Sequence, residues 1–304
     1  MKPYRVALFD AFSEELFGGS VAGIICDAQD LPDELMQQIA KEIGAPATCF
    51  IVGVDDCGVE VRFFSTVKEY PMCGHGTVAL MTWLVGDGVF TVDPGEKRVV
   101  ELRTPSHTTN VALQQRPDGR LEVMLTLSGV AFESCSVSES DLAPLFGTAI
   151  AGAVGSLPSE LAVAEFSHLV VPVDSLETIR NLSPDYGKIE SLCRHIHADT
   201  LVLFTLETEC PESTIHCREF CPLVGTPEAP ASGTTNRALA CYLLRHGLLD
   251  SESSDCDTII SEQGYEMNRP SQIRTELTMC DGELTQIKVG GVATKTIEGV
   301  FCVS

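Results

Sequence analysis

Two short runs in this chain set reactive or hydrogen-bonding side chains at a small-residue turn. In Cys73-Gly74-His75-Gly76-Thr77 a thiol stands two residues before an imidazole, and in Ser232-Gly233-Thr234-Thr235 a hydroxyl takes the thiol's place. Each run leads into an apolar stretch that ends at glycine, Gly88 or Gly247, as a buried helix would. A turn that opens a helix carries unpaired backbone N–H groups, and the helix dipole adds positive potential, so such a mouth suits a carboxylate. A thiol titrates near pH 8.5 and a helix N-terminus lowers that value. Cys73 is therefore expected to be partly thiolate near neutrality and able to take a proton from carbon. Ser232 can donate a hydrogen bond or relay a proton, but it is a poor base without an activating partner. The plain alternative is a pair of ordinary turns with a small core cysteine.

The two runs belong to one repeated segment. Residues 73–88 overlay residues 232–247 without a gap: Gly74 falls on Gly233, Ala79-Leu80 on Ala238-Leu239, Trp83-Leu84 on Tyr242-Leu243, and Gly88 on Gly247. Around the first copy the pattern predicts strands at 5–9, 20–26, 48–54, 59–65, 98–103, 109–114 and 120–127, with a helix opening at Leu31-Pro32-Asp33. Around the second copy it predicts strands at 168–173, 200–206, 213–220, 258–261, 273–279 and 286–289, with a helix opening at Leu182-Ser183-Pro184. Asp118-Gly119 and Asp281-Gly282 are hairpin turns. The expected fold class is α+β: two pseudo-symmetric domains, 1–130 and 131–304, each a mainly antiparallel sheet wrapped around a helix that is apolar all round. Residues 128–167 are read as the join. A cleft holding both helix mouths is the expected ligand site.

With 304 residues the chain can bury two cores of ordinary size. It has 20 Lys and Arg against 43 Asp and Glu, a formal charge of −23, which argues against nucleic acid or an anionic membrane as partner. An anionic substrate then needs a local positive feature, which helix mouths supply. The 13 cysteines are odd in number and scattered, as in a reduced cytoplasmic protein rather than a disulfide scaffold. His216, Cys217 and Cys221 form only a loose metal-like group, so no metal is expected. No stretch is long and apolar enough to span a bilayer.

Once these segments are set out, the chain resembles the phenazine-biosynthesis PhzF-like family, in the larger group of diaminopimelate epimerase and proline racemase. The marks are Asp10-Ala11-Phe12, Phe17-Gly18-Gly19, Arg62-Phe63-Phe64, Glu69-Tyr70-Pro71-Met72-Cys73-Gly74-His75, Glu228-Ala229-Pro230-Ala231-Ser232-Gly233-Thr234, Glu262-Gln263-Gly264 and Val289-Gly290-Gly291. The resemblance implies a cofactor-free, commonly homodimeric enzyme that moves a proton at carbon beside a carboxylate. The chain also departs from the family pattern. Ala47 stands where family isomerases carry a catalytic glutamate, Ala229 where an aspartate is usual, Ser20 where asparagine often follows Phe-Gly-Gly, and Thr234 where serine is found.

The racemase branch uses a cysteine from each half, positions that match Cys73 and Ser232. One thiol and one hydroxyl favour a single-base isomerase, epimerase or dehydratase acting on a small amino or hydroxy acid. The catalytic candidates are Cys73, His75 and Ser232. Ser20, Gly74, Gly76, Gly233, Thr234 and Thr235 are candidates for substrate contact. Arg62 and Arg218 occupy matching places, and a structural salt bridge is the favoured reading over carboxylate binding. Two alternatives stay open: a binding or scaffold protein that kept the fold, and an isomerase that recruits Glu69 or Glu228.

Overall fold

A computed structural model of the chain describes residues 2–147, 157–249 and 256–303. It divides into two compact units, residues 1–126 with 289–304, and residues 127–288. In the first unit the order is β1 (Lys2–Ala11), β2 (Ser20–Ile25), α1 (Asp33–Ile43), β3 (Ala47–Val54), β4 (Gly58–Phe64), β5 (Glu69–Tyr70), α2 (Gly74–Gly86), β6 (Lys97–Arg103), β7 (Thr108–Gln115) and β8 (Leu121–Leu127). The second unit follows with β9 (Ala131–Ser134), α3 (Glu139–Phe146), β10 (Glu160–Val163), β11 (Ser167–Pro172), α4 (Leu176–Arg180), α5 (Tyr186–Ile196), β12 (Thr200–Thr205), β13 (Ile215–Phe220), β14 (Glu228–Ala229), α6 (Gly233–Arg245), β15 (Cys256–Gln263), β16 (Ser271–Cys280) and β17 (Glu283–Gly291). The last strand is β18 (Ala293–Val303).

The pairing pattern is repeated. In the first unit β2 and β3 are parallel, β3–β4 and β4–β5 antiparallel, β4 and β6 parallel, and β6–β7 antiparallel. In the second, β11–β12, β12–β13, β13–β14, β13–β15 and β15–β16 follow the same sequence of directions. Parallel neighbours need a long crossover, and the helices supply it. α1 and the α4–α5 pair bridge the first parallel step of each unit, and α2 and α6 bridge the second. The architecture is α+β, two pseudo-symmetric units each built as a mainly antiparallel sheet around a central helix.

Burial explains why α2 and α6 are central. In α2 every residue from Gly76 to Leu84 except Thr82 is buried, and in α6 every residue from Thr235 to Leu243. α6 is less apolar than its sequence position suggests, because Arg237 is fully buried. Its guanidinium is tied to Glu165 at 2.6 Å and to the Ser128 hydroxyl at 3.2 Å. α1 is amphipathic and lies outside, burying Met36, Ile39 and Ala40 beside Phe50 and Phe64. α5 does the same with Ile189 and Cys193 beside Leu201, Leu203 and Phe220.

Two sequence expectations are corrected. Residues 128–167 are not a bare join, since β9, α3 and β10 lie there and belong to the second unit. The second domain does not run to 304. β18 returns to the first unit and pairs with β1 from Pro3↔Cys302 to Ala11↔Ala293, with a bulge between Leu8 and Phe9. β1 is paired by β2 along only part of its length, and β18 covers the side that would otherwise be an open edge. Among the described residues no helix is long and apolar enough to cross a membrane.

Candidate functional site

The two helix mouths have nearly the same backbone. Cys73 precedes α2 at φ −143°, ψ 114°, and Ser232 precedes α6 at φ −143°, ψ 118°. In each mouth a side chain four residues on anchors the N-cap carbonyl at 2.8 Å: Thr77 Oγ1 donates to Cys73 O, and Asn236 Nδ2 donates to Ser232 O.

At the α2 mouth Cys73 and His75 meet, with Sγ 3.4 Å from Nδ1 and 3.7 Å from Nε2. Beneath them the ground is apolar. A Cβ on Gly76 would stand 2.9 Å from Cys49 Sγ and 3.1 Å from the Phe63 ring, so the position admits glycine alone without rearrangement. Burial sets the protonation state. It pushes the Cys73 thiol up to about 12, and the amides of Gly76 and His75 recover only part of that. Burial also pulls His75 down to about 4. This direction runs against the expected resting thiolate, because the loss of hydration outweighs the helix terminus. Both shifts favour a neutral thiol beside a neutral imidazole.

At the α6 mouth Ser232 is partly exposed, and its Oγ accepts the Thr235 N–H at 3.4 Å and lies 3.3 Å from Thr234 Oγ1. Gln263 holds the turn, with Oε1 accepting from Ser232 N at 3.3 Å and Nε2 donating to Ala229 O at 2.8 Å. Gly264, at φ +80°, lets the following backbone approach Pro230, where a Cβ would come within 2.6 Å of the Pro230 carbonyl oxygen. Behind Ser232 lies Glu219, 3% exposed. Burial raises its pKa, and hydrogen bonds with the side chains of Thr235, Ser232, Gln263 and Thr200 offset this in part.

The structure brings Cys73 and His75 together, and Ser232, Thr234 and Thr235 together, each set within its own unit. Ser20 is buried at the start of β2, and among the described residues no hydrogen bond joins it to Cys73 or Ser232. Arg62 and Arg218 are occupied by carboxylates. Arg62 grips Glu69 through Nε and Nη2 at 2.7 Å each, and Arg218 grips Glu228 at 2.8 and 2.9 Å. Both guanidiniums stack 5.1 Å from a phenylalanine centroid, Phe64 and Phe220. Glu69 and Glu228 are thus each held in an ion pair with the arginine of their own unit. His216 of the loose metal-like group is also taken: Nδ1 meets Glu262 and Nε2 meets Glu266, both at 2.9 Å.

Sequence reading missed Glu219. The available signal was an acid within Ile215-His216-Cys217-Arg218-Glu219-Phe220, a strand whose six residues are all buried. Such a strand obliges every polar member to find a partner.

Residues 9–299 match the family described as phenazine biosynthesis-like protein. An uncharacterized isomerase of Bacillus subtilis is 26% identical over 294 residues, spanning 96% of this chain and 97% of that protein. The trans-2,3-dihydro-3-hydroxyanthranilate isomerase of Pseudomonas aeruginosa is 25% identical over 309 residues, spanning 97% and 98%. A Bacillus anthracis phenazine biosynthesis protein of the PhzF family superimposes with a TM-score of 0.90, at 25% identity and over 100% of both chains.

Proposed function

This chain belongs to the phenazine biosynthesis-like protein family, and we propose that it is a cofactor-independent isomerase or epimerase. In this reading it moves a proton at the carbon beside the carboxylate of a small amino or hydroxy acid. Where the next carbon bears a leaving group, the same chemistry makes it a dehydratase. Relatives named as isomerases support the reaction class.

The observation that carries the reading is the 3.4 Å contact between Cys73 Sγ and His75 Nδ1 at a helix mouth. Because the thiol rests protonated, the base is the pair rather than sulfur alone. His75 takes the thiol proton as sulfur takes the proton from carbon, so a full thiolate never has to persist in a buried place. A bound carboxylate favours this step, since a nearby anion raises the pKa of an imidazole that burial has lowered. Amides of Gly74, His75 and Gly76 stabilise the substrate's carboxylate as enolate character grows. Ser232, with Gly233, Thr234 and Thr235, offers hydrogen bonds at the second mouth.

One observation favours a binding protein instead: a thiol driven up by burial is a poor resting nucleophile. Incubation with a panel of small amino and hydroxy acids in deuterated water separates the two readings. Wild type is expected to place deuterium beside the carboxylate of at least one, with Cys73→Ser and His75→Ala each slower by about 100-fold or more. Absence of exchange across the panel, with heat of binding detected by calorimetry, would establish the binding protein.

A further inference from the structure

The end of β15 holds the α6 mouth. Gln263 Nε2 donates to Ala229 O at 2.8 Å, and its Oε1 accepts from Ser232 N at 3.3 Å and from Asn236 Nδ2 at 2.9 Å. Ser271 Oγ lies 2.9 Å from both Pro230 O and Gln263 O, so the segment leading into the mouth is tied to this strand end at Ala229, Pro230 and Ser232. Strand alternation turns Glu262, the residue before Gln263, the other way. There His216 of β13 stands between two acids, with Nδ1 2.9 Å from Glu262 Oε2 and Nε2 2.9 Å from Glu266 Oε1.

A neutral imidazole donates from one nitrogen only and would turn a lone pair toward one of the two carboxylates. With a carboxylate oxygen 2.9 Å from each nitrogen, the ring is satisfied as an imidazolium that donates twice. The surroundings agree with a charged ring. From the 206–214 loop, the Glu209 and Cys210 amides donate to Glu262 at 2.8 and 2.7 Å. The Cys210 thiol stands 3.9 Å from the Tyr265 hydroxyl, and burial raises both groups, as it does the Cys217 thiol beside His216. β12 places Thr205 opposite His216, and Glu212 is exposed on the loop. Two cations reach the same acids, Arg180 of α4 and Arg218 of β13, and each is already paired, with Glu209 and Glu228. Among the described residues Glu266 Oε2 is buried without a partner, so His216 is what offsets the burial of that carboxylate.

We propose that the His216 proton is a removable pin for the α6 mouth. Charged, the ring draws Glu262 and Glu266 together, which fastens the 206–214 loop and the turn Tyr265–Met267 to the strand end that holds Ser232. Without the proton one carboxylate is left unpaired in the interior, and the loop and turn come away. Gln263 then loses the fixed backbone from which it grips the Ser232 amide. The first unit has no such pin. By register, Glu60, Arg103 and Thr104 stand where the second unit has His216, Glu262 and Gln263, and Pro71 O is tied by an exposed Ser106 hydroxyl at 3.2 Å. The pin is a property of the second unit alone and operates whatever reaction the mouth serves.

Nitrogen NMR of the full chain with labelled histidine is the first test. At neutral pH the His216 ring, assigned by its absence in His216→Gln, should carry protons on both nitrogens, and a neutral ring in wild type overturns the proposal. Amide exchange, corrected for base catalysis, is the second. The closed ring titrates at about 9 and the opened one at its ordinary 6.5. Protection of the Glu209, Cys210 and Ser232 amides should therefore fall about tenfold per pH unit between those values and then level, because only the closed form keeps the proton. The Thr77 amide, bonded to Cys73 O at 2.9 Å in the α2 mouth, should not share this fall. His216→Gln should remove the fall at all three positions. Glu266→Gln keeps the Glu262 bond and should move the upper limit of the fall to lower pH. A fall confined to Glu209 and Cys210, one shared by Thr77, or one unchanged in either variant refutes the pin. Should His216→Gln not fold, the wild-type ring and Glu266→Gln decide the matter.

Discussion

Strands β4 and β13 occupy the same place in their units and share one ion pair, yet they are buried to different depths. In β4 the run Val59-Glu60-Val61-Arg62-Phe63 leaves Glu60 exposed and Arg62 half-buried, whereas in β13 all of Ile215 to Phe220 is buried. The parallel neighbour follows suit. Glu60, exposed, stands opposite the half-buried Arg103, while His216 stands opposite Glu262 within the interior. The repeat therefore preserves backbone direction and the Arg–Glu grip, and what has changed is how much water reaches the polar groups. Water exclusion turns ordinary polar residues into a linked network in the second unit.

The largest effect expected from this contrast concerns the repeated ion pair. Arg218 and Glu228 side chains are 7% and 6% exposed, against 18% and 34% for Arg62 and Glu69. Glu228→Gln, leaving a buried guanidinium without its charge partner, is expected to cost about 3–5 kcal/mol. Glu69→Gln should cost about 1 kcal/mol or less. Urea unfolding monitored for each variant measures both, and equal losses would break the comparison.

His216 sharpens it through pH. Burial pulls its imidazole down, but the hydrogen bonds it donates to Glu262 and Glu266 outweigh this and lift it from 6.5 to about 9. A raised folded-state pKa contributes stability that is complete below pH 6.5 and is lost as pH rises through 9. At about 1.4 kcal/mol per pKa unit that loss is about 3 kcal/mol. Stability measured from pH 6 to 10 should decline in wild type, and His216→Gln should flatten the decline.

The smallest effect separates the two N-caps. Ser232 caps α6 through the Thr235 amide, but Cys73 makes no side-chain cap to α2. Ser232→Ala should cost about 1 kcal/mol by thermal unfolding. Cys73→Ala carries no cap loss, so a comparable penalty there would assign the thiol a structural role.

Most of the architecture was readable because its elements are periodic and bounded by punctuating residues. α1 ends at Gly44, in the left-handed conformation, and the central helices announce themselves as apolar runs opened by small residues. β18 was not readable: Ala-Thr-Lys-Thr-Ile-Glu-Gly-Val-Phe-Cys-Val leaves the large apolar residues Ile297 and Val300 exposed, with a glycine between them, so no polar–apolar alternation marks it. Its partner β1, nearly 300 residues earlier in the chain, defines it as a strand. At the site, residue types and spacing revealed Cys73, His75 and Ser232. Protonation was hidden, because sequence records the helix terminus that lowers a thiol pKa but not the burial that raises it. Glu219 was hidden for the same reason, since its chemistry comes from neighbours on three other strands and a helix.

The return of β18 to β1 has a consequence for how the protein is made. On a ribosome, residues 127–288 emerge with every segment of their unit present, so this half can reach its final form while synthesis continues. The other half waits with one strand missing until residues 293–303 have been made. Its early-made strand β1, lacking its late partner, is the place where a nascent chain most needs protection from pairing with a neighbour.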